Sequence, residues 1–181
     1  MIKLQPLERQ DFKKILEWNE NKSADDLAQW AGPLYNHPLN EEQLENYFRY
    51  HIYIDHPTIF VYKIILGETN EAIGTVELRQ ADAENKIGKV CRFLIAHQSM
   101  RGKGLGRKVL QEIVRLGFED FGFNKIALNV FDFNTGAIQC YERVGFKKEK
   151  LLKNVRKGMD GDWSSYEMVL LKTEWKSKQY L

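Results

Sequence analysis

Apolar residues follow two rhythms along this chain, and the change between them marks its organisation. From Ile59 to Leu66 they form a β-branched and aromatic run, Gly67 to Asn70 has turn chemistry, and Ala72 to Leu78 resumes the strand pattern, which predicts a hairpin. A polar turn around Ala81 to Lys86 leads into a third run, Lys89 to His97, so three strands read as an antiparallel meander. After it the spacing becomes helical: Leu105, Val109, Leu110, Ile113, Val114, Gly117, Phe118 and Phe121 lie on one face, and Gly122 ends the pattern. Lys125 to Phe131 then reads as a strand, Gly136 to Val144 as a short helix closed by Gly145, and Phe146 starts an extended segment. Gly158 to Asp162 turns that segment into a last strand, Ser165 to Leu171.

The N-terminal part is less regular. Ile2 to Leu4 predicts a strand stopped by Pro6, and Asp11 to Trp18 a short helix carried by Phe12, Ile15 and Leu16. Asn19 to Pro38 reads as irregular, with turns at Gly32-Pro33 and His37-Pro38. A second helix starts at Asn40 as N-cap, with Gln43 three residues on and Leu44, Tyr47 and Phe48 as its apolar stripe. The whole is a mixed α/β pattern, antiparallel strands first and a strand-helix-strand unit after.

Composition narrows the class. The chain has 181 residues, 43% hydrophobic and 29% charged, which excludes disorder, collagen and a disulfide scaffold and predicts one domain over residues 1–181. With 27 Lys+Arg against 25 Asp+Glu the net charge is only +2, so a nucleic-acid partner is not expected and any anion site must be local. Two cysteines, Cys91 and Cys140, show no metal-ligand spacing and read as reduced thiols; no metal site is expected. Lacking an apolar export segment or a run long enough to span a membrane, the sequence reads as cytoplasmic with no membrane partner.

The local anion site is Arg101-Gly102-Lys103-Gly104-Leu105-Gly106-Arg107-Lys108, between a strand and the strongest helix. Free backbone N–H groups and the positive end of the helix dipole converge there, and glycines allow a backbone approach that a Cβ would block. Phosphate is the natural guest. A P-loop would need Gly-Lys followed by Ser or Thr, which this turn lacks. A dinucleotide fingerprint would need Gly where Arg107 stands.

A third pattern fits. Arg101, Gly104 and Gly106 satisfy a signature of Gln or Arg, two residues, Gly, one residue, then Gly or Ala, and a second match follows at Asn134, Ala137, Tyr141, Gly145 and Phe146. In these segments the sequence resembles the GNAT superfamily of acyl-CoA-dependent N-acetyltransferases. The resemblance covers Ile59 to Leu171; the opening, Leu4 to Phe12 and Trp30 to Pro33, is similar in style to the branch containing ribosomal-protein N-terminal acetyltransferases.

The resemblance implies a GNAT-type fold, a mixed, mostly antiparallel sheet flanked by helices in which the strands Lys89 to His97 and Lys125 to Phe131 splay to admit CoA. It implies transfer of the acetyl group of acetyl-CoA to a primary amine by direct attack, the acceptor being a protein N-terminus, a polyamine or an aminoglycoside-like amine. Arg101, Gly102, Lys103, Gly104, Leu105, Gly106 and Arg107 would hold the pyrophosphate and Leu94, Ile95 and Ala96 the pantetheine, with a backbone N–H near Ile95 or Ala96 polarising the thioester carbonyl. Asn134 would contact the CoA arm and Tyr141 would protonate the departing thiolate. Partners are acetyl-CoA and the amine acceptor, with a homodimer left open.

Bland alternatives stand beside these roles. Tyr141 also reads as a helix-face aromatic with its hydroxyl at the surface, and Cys140 as a small packed thiol. Where several family members carry a base glutamate, this chain has Asn129, which cannot take a proton from an ammonium ion. Glu77, on the strand face opposite Val76 and Leu78, is the candidate catalytic base, its alternative being a pair with Arg79 or a solvated strand face. His97 is a second candidate. Trp30 and Tyr35 suit an acceptor-pocket rim and Phe48 the core; Lys172 to Lys178 reads as a solvated end. The rival reading is a non-catalytic acyl-CoA-binding sensor or interaction module, supported by Asn129.

Overall fold

The computed structural model describes residues 2–179, and the side chains from Lys176 on lie outside the described residues. Its elements are β1 (Ile2–Pro6), α1 (Phe12–Asn19), α2 (Ala24–Ala31), α3 (Glu41–His51), β2 (Ile59–Leu66), β3 (Glu71–Asp82), β4 (Ile87–Ile95), α4 (Leu105–Arg115), β5 (Lys125–Phe131), α5 (Thr135–Val144), β6 (Lys147–Gly158), β7 (Gly161–Leu171) and α6 (Lys172–Gln179). The strands hydrogen-bond in the order β1-β2-β3-β4-β5-β7-β6. This mixed, mostly antiparallel arrangement is the expected class.

Contacts divide the chain into two compact units. The first comprises Met1–Arg79 and Cys91–Leu105, the second Gln80–Val90 and Gly106–Leu181. In the first unit β1 and β2 are antiparallel, with Ile2 opposite Leu66 and Pro6 opposite Tyr62. β2 and β3 are also antiparallel, with Val61 opposite Glu77 and Lys63 opposite Thr75. Leu7, Phe12, Ile15, Leu27, Leu44, Tyr47, Phe48, Leu94 and Ala96 form its core.

The segment expected to be irregular contains α2, a correction with a local cause. Ser23 Oγ accepts from the Asp26 N–H at 3.0 Å while Asp26 Oδ2 accepts from the Ser23 N–H at 3.0 Å, a reciprocal cap that starts the helix. Leu27, Ala28 and Ala31 are its buried face. Only one of these three is bulky, so the apolar signal was thin. α3 begins at Asn40 as expected, its Oδ1 accepting from the Gln43 N–H at 3.0 Å. Gln43 does not complete a reciprocal cap; its side-chain amide instead donates to the carbonyls of Asn36 and Pro38.

Strand β3 is buried on both faces from Ile73 to Leu78. A Cβ built on Gly74 would lie 1.9 Å from the Leu94 carbonyl oxygen, so glycine is needed for β4 to approach this closely. Gly74→Ala should therefore cost about 3 kcal/mol, since the obstruction is backbone and cannot rotate away; urea denaturation of the two proteins measures it.

In the second unit β4 runs parallel to β5 in a register from Ile87 opposite Lys125 to Val90 opposite Leu128. β5 pairs antiparallel with β7, from Lys125 opposite Leu171 to Phe131 opposite Ser165. β6 pairs antiparallel with β7 at the sheet's edge, and most of its residues are exposed. Val109, Leu110, Ile113 and Val114 bury one face of α4. Beyond Arg115 the chain widens into a π-type turn, Leu116–Asp120, rather than continuing as the regular helix expected to Phe121. The C-terminal segment also corrects its expectation: it forms α6, with Trp175 buried and 5.3 Å from the Phe118 ring centroid, and with Lys172 Nζ donating to the Phe118 carbonyl.

Candidate active site

After β4 a short 3-10 turn, Gln98–Met100, delivers the chain to the glycine-rich turn and α4. Gly102 and Gly104 have φ of +74° and +75°, and a Cβ at either would meet open space. Glycine is thus required here by backbone conformation and not by crowding. Arg101, Lys103, Arg107 and Lys108 are exposed, and the first turn of α4 contains no acid. The first N–H groups of a helix have no intrahelical partner, and with no carboxylate to neutralise the dipole the turn can take an anion. Arg101 Nη2 donates back to the Ile95 carbonyl at 3.3 Å.

Leu94 and Ala96 are buried, Ile95 half-buried. The Ala96 N–H is already donated to the Ile73 carbonyl at 2.9 Å, which leaves Ile95 as the better amide to polarise an incoming carbonyl. His97 is exposed.

In the second unit, Asn134 is the N-cap of α5, its Oδ1 accepting from the Ala137 N–H at 3.2 Å. Tyr141 is partly buried two turns on, its ring 6.3 Å from that of Phe146. Burial, then the neighbouring Cys140, pushes its phenol above the ordinary value of 10.0 and favours the protonated form. Cys140 is a free, half-buried thiol whose pKa is raised chiefly by burial, the opposite of an activated nucleophile. Asn129 is exposed on β5 and stands opposite Glu167 of β7 in the strand register. Glu167 is a carboxylate that sequence spacing alone had no means of finding.

Glu77 of the first unit is fully buried. Its Oε2 accepts from the Tyr47 hydroxyl at 2.7 Å, and its Oε1 accepts from Arg79 Nε at 3.0 Å and Arg92 Nη1 at 2.5 Å. The Arg79 pairing read from sequence is present; the Tyr47 and Arg92 partners were missed because 30 and 15 residues separate them from Glu77. A signal for Arg92 did exist, a lone charge inside Val90-Cys91-Arg92-Phe93-Leu94, and it sits at φ +47°. Burial, reinforced by Glu77, raises the Tyr47 pKa, and burial raises that of Tyr35. Both phenols are neutral at physiological pH.

Around this cluster is a cavity of about 20 Å³, walled by apolar and aromatic residues that include Trp30, Tyr35, Tyr47 and Phe48, with Thr75, Glu77 and Arg92 as its polar lining. Its enclosed part has room for about one water-sized polar group, and the recess around that part is partly open to solvent. Tyr35 and Phe48 line the cavity and are also core residues, 9% and 1% exposed, and Trp30 packs against the same cluster. Among the described residues no group of His, Cys, Asp or Glu could hold a metal ion, and no helix is long and apolar enough to cross a membrane.

Comparison with known proteins identifies the family. Residues 2–147 match the family model described as acetyltransferase (GNAT) domain. The chain is 26% identical over 135 residues to the SPbeta prophage-derived uncharacterized N-acetyltransferase YokL of Bacillus subtilis, covering 74% of this chain and 63% of that protein. It is 31% identical over 114 residues to the uncharacterized N-acetyltransferase p20 of Bacillus licheniformis, again spanning 63% of that protein's length. It is 28% identical over 149 residues to spermidine N(1)-acetyltransferase of Vibrio cholerae, covering 82% of this chain and 80% of the relative. In fold it is similar to a crystal structure of spermidine N-acetyltransferase from Vibrio cholerae in complex with CoA and spermine, with a TM-score of 0.82, 22% identity, and 97% and 98% of the two chains covered.

Proposed function

Because this chain belongs to the family of acetyltransferase (GNAT) domains, we propose that it transfers the acetyl group of acetyl-CoA to a primary amine by direct attack, with the whole chain acting as a single catalytic domain. The observation that carries this reading is the turn at Gly102 and Gly104, both left-handed, opening a helix whose first turn lacks acids and is flanked by cations. Backbone amides and Arg101, Lys103, Arg107 and Lys108 hold the diphosphate. The pantetheine lies along Leu94, Ile95 and Ala96, and the Ile95 N–H stabilises the oxyanion of the tetrahedral intermediate.

Chemistry then needs a neutral amine and a proton for the thiolate. The nitrogen forms its bond to the carbonyl carbon, the C–S bond breaks, and Tyr141 gives its phenolic proton to sulfur. Burial keeps that proton in place until it is needed. Glu77, which sequence offered as the base, is held by two guanidinium donors and a phenol, so in this reading it positions Arg92 and Tyr47 rather than accepting the ammonium proton. The ammonium proton leaves to water.

Gly104→Asp tests the diphosphate placement. It forces an L side chain into a left-handed backbone and adds negative charge at the phosphate cradle. CoA affinity measured by calorimetry should fall on the order of 10- to 100-fold while the melting temperature changes little. Unchanged affinity would move the diphosphate elsewhere.

A further inference from the structure

The cavity beside Glu77 carries an unbalanced charge. Two guanidinium groups, Arg79 and Arg92, converge on one carboxylate, and Glu77 is the only acid in the cavity lining. Tyr35 and Tyr47 are neutral there, as their raised pKa values require. The Arg79 side chain is 31% exposed and can be solvated, but that of Arg92 is only 16% exposed. Arg92 Nε is buried with no hydrogen-bond partner among the described residues, and its guanidinium stacks 5.1 Å from the Tyr47 ring centroid. A largely buried cation with an unused donor favours an added anion.

Its position relates that cation to the proposed acetyl donor. Arg92 precedes Leu94 by two residues on β4, and Leu94 and Ala96 belong to the same packed cluster as Tyr35, Tyr47 and Phe48, which wall the cavity. A group seated at Arg92 therefore lies next to the strand assigned above to the pantetheine. Such a site repels a polycation and attracts a planar oxyanion that can pair with the guanidinium fork.

Resting on that reading of acetyl transfer, we propose that Arg92, fixed by Glu77 and backed by the aromatic wall of Trp30, Tyr35 and Tyr47, is an acceptor-specificity residue that selects an amine carrying a carboxylate on an apolar body. It sets this chain apart from its spermidine-acetylating relative, whose acceptor is a polycation. Arg92 acts here on the bound acceptor and takes no part in proton transfer.

Four amines make the test: phenylalanine, phenylalaninamide, phenethylamine and spermidine, assayed by CoA release with acetyl-CoA. The first three share one apolar body and differ in the carboxylate. The expected kcat/KM for phenylalanine exceeds that for the amide and for phenethylamine by about 10-fold or more, with spermidine lowest. In Arg92→Met the phenylalanine advantage disappears, mainly through KM, while spermidine improves because Glu77 is then partnered by one guanidinium instead of two. Arg92→Lys, which keeps the charge and loses the fork, falls between the two.

Calorimetric titration of phenylalanine into the protein–CoA complex gives a readout independent of turnover. Binding that Arg92→Met abolishes supports the subsite even if no amine is acetylated, a result that would sink the acetyl-transfer reading alone. A native preference for spermidine, or an Arg92→Met that lowers all four amines equally with CoA affinity intact, overturns the proposal.

Discussion

Tyr141→Phe should slow acetyl transfer on the order of 100-fold, the scale of one lost general acid, with the CoA dissociation constant and melting temperature nearly unchanged. The ring's packing near Phe146 survives the substitution, so the change removes a proton and little else. A pH profile sharpens the test. Burial first, then Cys140, raises the phenol pKa above 10.0, so the acid form persists through neutral and mildly alkaline pH, and the native rate should show no decline from loss of this proton below pH about 10. The same shift bears on folding. The folded-state pKa lies above the unfolded one, so the stabilising contribution is complete below the unfolded value and is lost as pH rises past it. Tyr35 and Tyr47, also raised by burial, act in the same direction. A Tyr141→Phe protein with native turnover would assign this side chain to packing.

Glu77→Ala should destabilise the protein by about 3–5 kcal/mol, the range for removing one partner from a buried ion pair. The loss leaves Arg92 nearly buried without its anion and the Tyr47 hydroxyl without its acceptor, while Arg79, the more exposed partner, is rehydrated more easily. Glu77→Gln keeps shape and an acceptor oxygen and should cost less than half as much. Urea midpoints of the three proteins measure the series. If Glu77 were an unencumbered base, Gln would abolish activity with native stability; a positioning carboxylate instead loses stability and acceptor affinity together.

What could be read from the chain before its fold was known follows the range of the interactions involved. The Arg101 to Gly106 turn, the cap at Asn134 and the helix carrying Tyr141 are each built from residues within one or two turns of one another, so their spacing is visible in sequence. Helix α2 was also local, through Ser23 and Asp26, yet two of its three buried residues are alanines, too small to show an apolar stripe. The docking of α6 rests on Trp175 and Lys172 meeting Phe118 from far along the chain, and their lysine-rich surroundings read as solvent-facing. The Glu77 cluster was half legible: alternation gave the strand face and Arg79 two residues on, whereas Tyr47 and Arg92 arrive from other elements.

Strand β6 leaves a backbone edge of 12 residues with no strand beyond it among the described residues. An open ladder of this length is a template on which another chain can add, and Leu151 and Val155 offer such a chain apolar contact. Lys147, Lys148, Lys150, Lys153, Arg156 and Lys157 face that risk with only Glu149 among them, so two such edges brought together repel. Lateral growth of the sheet from molecule to molecule is thereby opposed by charge, in the strand where backbone pairing alone would invite it.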